Sequence, residues 1–211
     1  MEIWLDTCDY RAVGEASQLG ILTGVTTNPL ILAKSRDSTE KTLSKLLDIQ
    51  DGPVAAQVLG RSTQEMVTEG RAFHKFSDRI LVKVPVTQAG IAAITTLKSE
   101  GIAVLATVIF HPHQVLLAAI AGADYAAPYI GRMFDAGIDA YASLKTMETI
   151  LQQHRLETKI LAASLQNTDQ LLAVAEMGIS AVTLKPSLFS TFLADDPLTL
   201  EALESFEAAY K

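Results

Sequence analysis

Short apolar runs recur along the chain, each followed by a longer stretch in which apolar residues return every three or four positions. The runs predict strands over Glu2–Asp6, Leu22–Thr26, Val54–Val58, Ile80–Pro85, Ala103–Ile109, Tyr125–Tyr129, Lys159–Ala163 and Ala181–Leu184. The stretches between them predict helices. Gln88–Glu100 repeats Ile91, Ile94, Leu97 and Lys98 at helical spacing, and Ile138–His154 does the same with Tyr141, Leu144, Met147, Ile150 and Leu151. Several strands are apolar at both parities, as when helices cover a parallel sheet. Alternating strands and helices predict an α/β fold, a single-domain (β/α)8 (TIM) barrel over residues 1–211. An open doubly wound sheet is the alternative. No Gly-rich phosphate loop follows the first strand, where that fold usually carries one.

The end of the chain predicts a C-terminal helix over 196–211, capped by Asp196 with Pro197 at its first position. Leu200, Leu203, Phe206 and Tyr210 form an apolar stripe along it, suited to the barrel or to a neighbouring subunit.

Composition narrows the function classes. A length of 211 residues suits one barrel. With 49% hydrophobic and 19% charged residues, the chain is compact rather than disordered. Its 17 basic and 24 acidic residues leave a net charge of -7. Without a Lys/Arg run, no nucleic-acid partner is expected. Met1–Asp6 lacks the basic leader and apolar stretch of a signal peptide. No apolar run approaches the roughly 20 residues that span a bilayer, so no membrane partner is expected. Cys8 is the sole cysteine, which excludes an intramolecular disulfide framework and a multi-cysteine metal site. The expected compartment is the cytoplasm.

Barrel enzymes carry their chemistry at the carboxyl ends of strands. In order, those ends offer Asp6, Thr26 leading into Asn28-Pro29, Gln57, Lys83, Thr107, Tyr129 followed by Arg132, and Ser164. Lys83 is the sharpest, set in Ile80-Leu81-Val82-Lys83-Val84-Pro85. Burying an ammonium ion is costly, so an apolar setting favours the neutral amine, which can attack a carbonyl. The competing reading is a lysine that snorkels to solvent or pairs with a carboxylate. Asp6 suits proton handling or a substrate hydroxyl, and equally a helix cap near Asp9. Asn28 before Pro29 also reads as turn chemistry. Gln57 needs partners if buried, while Thr107 and Tyr129 could each be a satisfied core hydroxyl. The spacing of His111 and His113 can ligate metal, but no third ligand is evident and neither metal nor cofactor is expected. His74 and His154 read as surface residues on helices.

Several stretches together resemble the transaldolase family, in particular its short members that include fructose-6-phosphate aldolase. They are Trp4-Leu5-Asp6-Thr7, Gly24-Val25-Thr26-Thr27-Asn28-Pro29, Val82-Lys83-Val84-Pro85, Gly101 through Thr107, Ala127-Pro128-Tyr129-Ile130-Gly131-Arg132 and Leu161-Ala162-Ala163-Ser164. The resemblance implies a class I, metal-independent aldolase acting on a sugar or sugar phosphate. Lys83 would form the Schiff base, and Asp6 and Asn28 would hold donor hydroxyls. Thr26 belongs to the same donor motif. Arg132 and Ser164 would bind the acceptor's phosphate. Gln57, Tyr129 and Thr107 would position a proton-relaying water, as in the fructose-6-phosphate aldolase branch, where transaldolases carry glutamate and phenylalanine instead of the first two. That favours a lyase over transfer of dihydroxyacetone between sugar phosphates. A third alternative is a non-catalytic sugar-phosphate-binding barrel. The resemblance also implies a ring-based homo-oligomer, a decamer, with the C-terminal helix reaching a neighbour. The chain departs from the family at Gln166, where relatives often carry a cation, and in Phe110–His113 and Lys185–Ser187 near the mouth. Lys185 could compensate for Gln166.

Overall fold

Parity along each strand sets the architecture. The computed structural model describes residues 1–210. Its strands are β1 (Glu2–Asp6), β2 (Leu22–Thr26), β3 (Val54–Gln57), β4 (Ile80–Pro85), β5 (Val104–Ile109), β6 (Tyr125–Pro128), β7 (Lys159–Ala162) and β8 (Ala181–Leu184). Neighbours in sequence are neighbours in the sheet, and β1 pairs with β8 in parallel to close the barrel. The open doubly wound sheet is thereby excluded.

The helices among the described residues are α1 (Tyr10–Gln18), α2 (Pro29–Leu32), α3 (Thr39–Asp48), α4 (Thr63–Phe76), α5 (Gln88–Ser99), α6 (Pro112–Ile120), α7 (Ile130–Asp135), α8 (Ala140–Gln153), α9 (Thr168–Glu176), α10 (Pro186–Phe192) and α11 (Pro197–Ala209). Several begin at side-chain caps. Asp9, Ser38, Ser62 and Asn167 each accept a hydrogen bond from a backbone N–H in the first helical turn. None of the described helices is long and apolar enough to cross a membrane.

Two apolar layers result. Val82, Val84, Val104 and Ala106 face outward into the core shared with the helices. Trp4, Ala55, Leu81, Leu105, Ala127, Leu161 and Ala181 fill the barrel interior. Trp4 is fully buried. A Cβ on Gly24, its partner in the β1–β2 ladder, would lie 2.8 Å from the Trp4 ring, so the indole depends on that glycine.

Boundaries differ from the sequence expectation by one residue in four strands. Val58, Tyr129 and Ala163 fall outside their strands, and Ala103 precedes β5. The chain already turns at the mouth. Tyr129 has become the residue preceding α7, although it still bridges to Ala163, and Ser164 sits at φ +62°. Within β5 the ladder to β6 shifts between Ala106 and Ile109, around Val108 at φ +61°. A β-branched residue there stores about 1–3 kcal/mol of strain. The shift reverses parity: Ile109, inward by simple alternation with Leu105, packs in the outer core instead. An isoleucine is thus kept out of the barrel mouth.

Helix α11 is capped as expected, with Asp196 accepting from Leu198 N and Thr199 N and Pro197 at the first position. It has no buried residue, and Leu200, Leu203, Phe206 and Tyr210 are all exposed. The stripe does not bury itself on its own barrel. Lys211 lies outside the described residues.

Candidate active site

The inward parity that carries apolar residues through the barrel's middle ends in polar residues at the carboxyl ends of the strands. Trp4 is followed by Asp6, Gly24 by Thr26, Leu81 by Lys83, Leu105 by Thr107 and Ala181 by Thr183. Most of these groups surround a cavity of about 290 Å³ that opens at this end. Seven of the nine expected site residues line it: Asp6, Thr26, Asn28, Lys83, Tyr129, Arg132 and Ser164.

Lys83 is 4% exposed, and its Nζ donates to the Thr27 carbonyl at 3.1 Å. It joins no ion pair among the described residues. Both competing readings of this lysine, snorkelling and carboxylate pairing, are therefore absent from the geometry. Asp6 does not cap a helix, since Asp9 caps α1. Its Oδ1 instead accepts from Thr26 Oγ1 at 2.7 Å. Thr26 is wholly buried, and its hydroxyl also lies 2.7 Å from that of Thr183. Asn28 holds both of its expected positions. Its Oδ1 caps α2 through Ile31 N at 3.0 Å while the residue lines the cavity.

Tyr129 and the wholly buried Thr107 share a hydrogen bond of 3.0 Å between hydroxyls. Thr107 stands behind Tyr129 rather than on the cavity wall. Gln57 pairs with Lys83 in the β3–β4 ladder, and therefore shares its face, but its carboxamide makes no hydrogen bond to Tyr129 or Thr107. The Phe110 ring meets the Tyr129 ring edge-on at 5.8 Å between centroids.

The outer end of the cavity is built by α7 and the end of β7. Gly131 N donates to the Ser164 carbonyl at 3.1 Å. A Cβ on Gly131 would come within 2.2 Å of that oxygen, so glycine is required to bring Arg132 beside Ser164. The Arg132 guanidinium stacks 4.9 Å from the Tyr129 ring centre and joins no ion pair among the described residues. Its donors remain available to an anion. Asp135, Gln166 and Lys185 complete this end, with the Gln166 amide 3.5 Å from both Asp135 oxygens.

Thr183, Asp135 and the Thr27 carbonyl escaped the sequence reading. Thr183 had a signal, being the one polar residue in Ala181–Leu184 and on the inward parity of Ala181. Asp135 follows Arg132 by three residues, which places both on one face of a helix. The Thr27 carbonyl had none, because backbone acceptors are invisible in side-chain patterns. His111 and His113 stack at 5.7 Å beside the start of α6, and no group of three or more His, Cys, Asp or Glu able to hold a metal forms among the described residues.

The chain matches the family model described as Transaldolase/Fructose-6-phosphate aldolase over residues 3–211. It is 37% identical over 206 residues to a probable transaldolase of Streptococcus pyogenes serotype M2 (strain MGAS10270), covering 98% of this chain and 96% of that protein. The same figures hold for the probable transaldolase of serotype M5 (strain Manfredo). Among solved structures, a flavocytochrome b2 mutant with pyruvate bound superposes with a TM-score of 0.62 at 14% identity. A mandelate oxidase mutant carrying an FMN adduct does so at 0.59 and 17%. These cover 90% and 84% of this chain but only 58% and 59% of the longer partners, and they speak for the barrel alone. The full-length family match and the curated relatives speak for more: this chain belongs to the transaldolase/fructose-6-phosphate aldolase family of enzymes.

Proposed function

We propose that this chain is a class I aldolase that makes or cleaves a carbon–carbon bond through a Schiff base on Lys83, with fructose 6-phosphate or a related sugar as substrate. The observation that carries this is Lys83 itself, a buried lysine without a carboxylate partner among the described residues, in a cavity lined by Asp6, Asn28 and Tyr129. The amine attacks the ketose carbonyl, and loss of water leaves an iminium. The C4 hydroxyl passes its proton to the water of the Gln57, Tyr129 and Thr107 relay, the C3–C4 bond breaks and its electron pair moves into the iminium. The aldehyde departs and the three-carbon unit remains as an enamine. Protonation and hydrolysis release dihydroxyacetone and restore the amine.

Asp6 and Asn28 are assigned to the donor hydroxyls, with Thr26 supporting Asp6. Arg132 and Ser164 are assigned to the acceptor's phosphate. The Tyr129–Thr107 hydroxyl pair supports proton transfer, and Gln57 is assigned to the same relay through a water. Tyr129 favours the lyase, because a phenol offers a proton route to the enamine. The transferase is the second reading, favoured by the curated relatives named probable transaldolases. The exposed stripe of α11 supports a homo-oligomer in which this helix covers a neighbouring subunit, and the single cysteine accords with a cytoplasmic enzyme.

The test is borohydride trapping with fructose 6-phosphate or dihydroxyacetone, read by intact mass and peptide mapping. A reduced adduct on Lys83 is expected. No adduct, or one that persists in Lys83→Met, would falsify the mechanism. Release of free dihydroxyacetone without erythrose 4-phosphate separates lyase from transferase.

A further inference from the structure

Two short polar contacts join residues of the cavity wall on three neighbouring strands. Thr183 on β8 and Thr26 on β2 flank β1, and both point inward, as side chains of alternate strands do in a barrel's internal layers. Their hydroxyl oxygens are 2.7 Å apart, and Thr26 Oγ1 is 2.7 Å from Asp6 Oδ1. Thr26 is 0% exposed and Thr183 5%.

The directions of these bonds follow from proton counting. A carboxylate oxygen only accepts, so Thr26 donates to Asp6. A threonine hydroxyl has one proton, and that of Thr26 is then spent. Thr183 must therefore be the donor in the second bond. The result is a one-way chain, Thr183 to Thr26 to Asp6, in which each hydroxyl polarises the next. A valine at 183 would have nearly the same shape and suit a strand as well. A buried hydroxyl there serves a purpose that packing does not require.

We propose that Thr183 is a positioning residue for the reaction: it fixes the Thr26 rotor and, through it, the Asp6 carboxylate that meets the substrate. This rests on the Schiff-base reading above, but not on the choice between lyase and transferase. Thr183 makes no hydrogen bond to Lys83, Arg132 or Ser164, so its loss should slow cleavage of the adduct, whose donor hydroxyls Asp6 holds in line, and spare formation of the adduct.

The test compares the wild type, Thr183→Val and Thr183→Ser on fructose 6-phosphate with erythrose 4-phosphate present, alongside borohydride trapping. Thr183→Val is expected to lower kcat about tenfold with KM within about twofold, the size of losing one buried hydrogen bond that supports a charged group. Trapping of Lys83 should proceed at the wild-type rate, and Thr183→Ser should restore most of kcat. A valine variant with near-normal kcat overturns the relay, as does a serine variant equally slow. Parallel loss of trapping and turnover overturns it too, by making Thr183 a packing residue. A wild type that forms no Lys83 adduct fails the Schiff-base reading first, and the relay with it.

Discussion

At the amino-terminal end of the barrel interior, the Glu2 carboxylate accepts from Trp4 Nε1 at 3.1 Å, Tyr125 OH at 2.9 Å and Lys159 Nζ at 2.6 Å. At the other end, Lys83 Nζ has one carbonyl and Arg132 lies on a tyrosine ring. At the lower end most polar groups pair with one another, Arg79 Nε being a buried exception. Lys98 pairs with Asp124, which also accepts from Val104 N, and the Trp4 and Tyr125 rings meet edge-on. Burial works to raise the Glu2 carboxyl, yet the bonds from Lys159, Trp4 and Tyr125 outweigh it and hold the group below its ordinary range. Burial, together with Glu2, pushes the Tyr125 phenol well above its ordinary value. Polar groups that satisfy one another stabilise the fold. Groups left with spare donors at a cavity wait for a ligand. One barrel can thus keep its paired charges at one end and its unpaired donors at the other.

The most severe way to break this contrast is Lys83→Met. Turnover should drop by at least about a thousandfold, while stability holds or rises by about 1 kcal/mol, since a costly buried amine is gone. Paired rate and denaturation measurements check both halves. Glu2→Gln should do the reverse. Three donors lose their shared carboxylate, at about 2 kcal/mol of stability, with kcat near normal.

The same residue gives a pH dependence with a definite sign. Glu2 has its pKa lowered on folding, so the unfolded chain takes up that proton first. Its contribution is complete above the ordinary glutamate value of 4.5 and disappears as the pH falls through the folded value. Denaturation midpoints across the acid range should therefore fall less steeply in Glu2→Gln than in the wild type.

Smaller changes sharpen the upper end. Tyr129→Phe should lower the ratio of cleavage to transfer by about tenfold, because the hydroxyl pair with Thr107 is lost. An unchanged product ratio with added erythrose 4-phosphate would remove the basis for preferring the lyase. Gln166→Lys adds a cation beside Asp135 and should lower KM for a phosphorylated acceptor by about threefold. That gain should fade at high salt.

Much of this molecule is local in origin, and that part was legible. Strand parity, helix period and caps such as Asp196 act within a few residues, so the eight strands could be read to within one position. The strand ends likewise pointed to seven residues that do line one cavity. The departures arise where local rules yield to contacts between elements. Alternation placed Ile109 inside the barrel, and the Val108 bulge turns it out. Gln57 lies beside Lys83 without reaching the Tyr129–Thr107 pair, because the ladder aligns its backbone but does not choose its partners.

Lys83 marks the division. By itself the sequence determined that a lysine would interrupt an apolar strand, at the end where barrels carry their chemistry. Only the tertiary structure decided that this lysine is buried, bound to the Thr27 carbonyl and unpaired with any described carboxylate. It likewise decided that Thr183, far along the chain, ends within one hydrogen bond of Thr26. Pattern specifies which way a side chain points. Ring closure of the sheet specifies which side chains it meets.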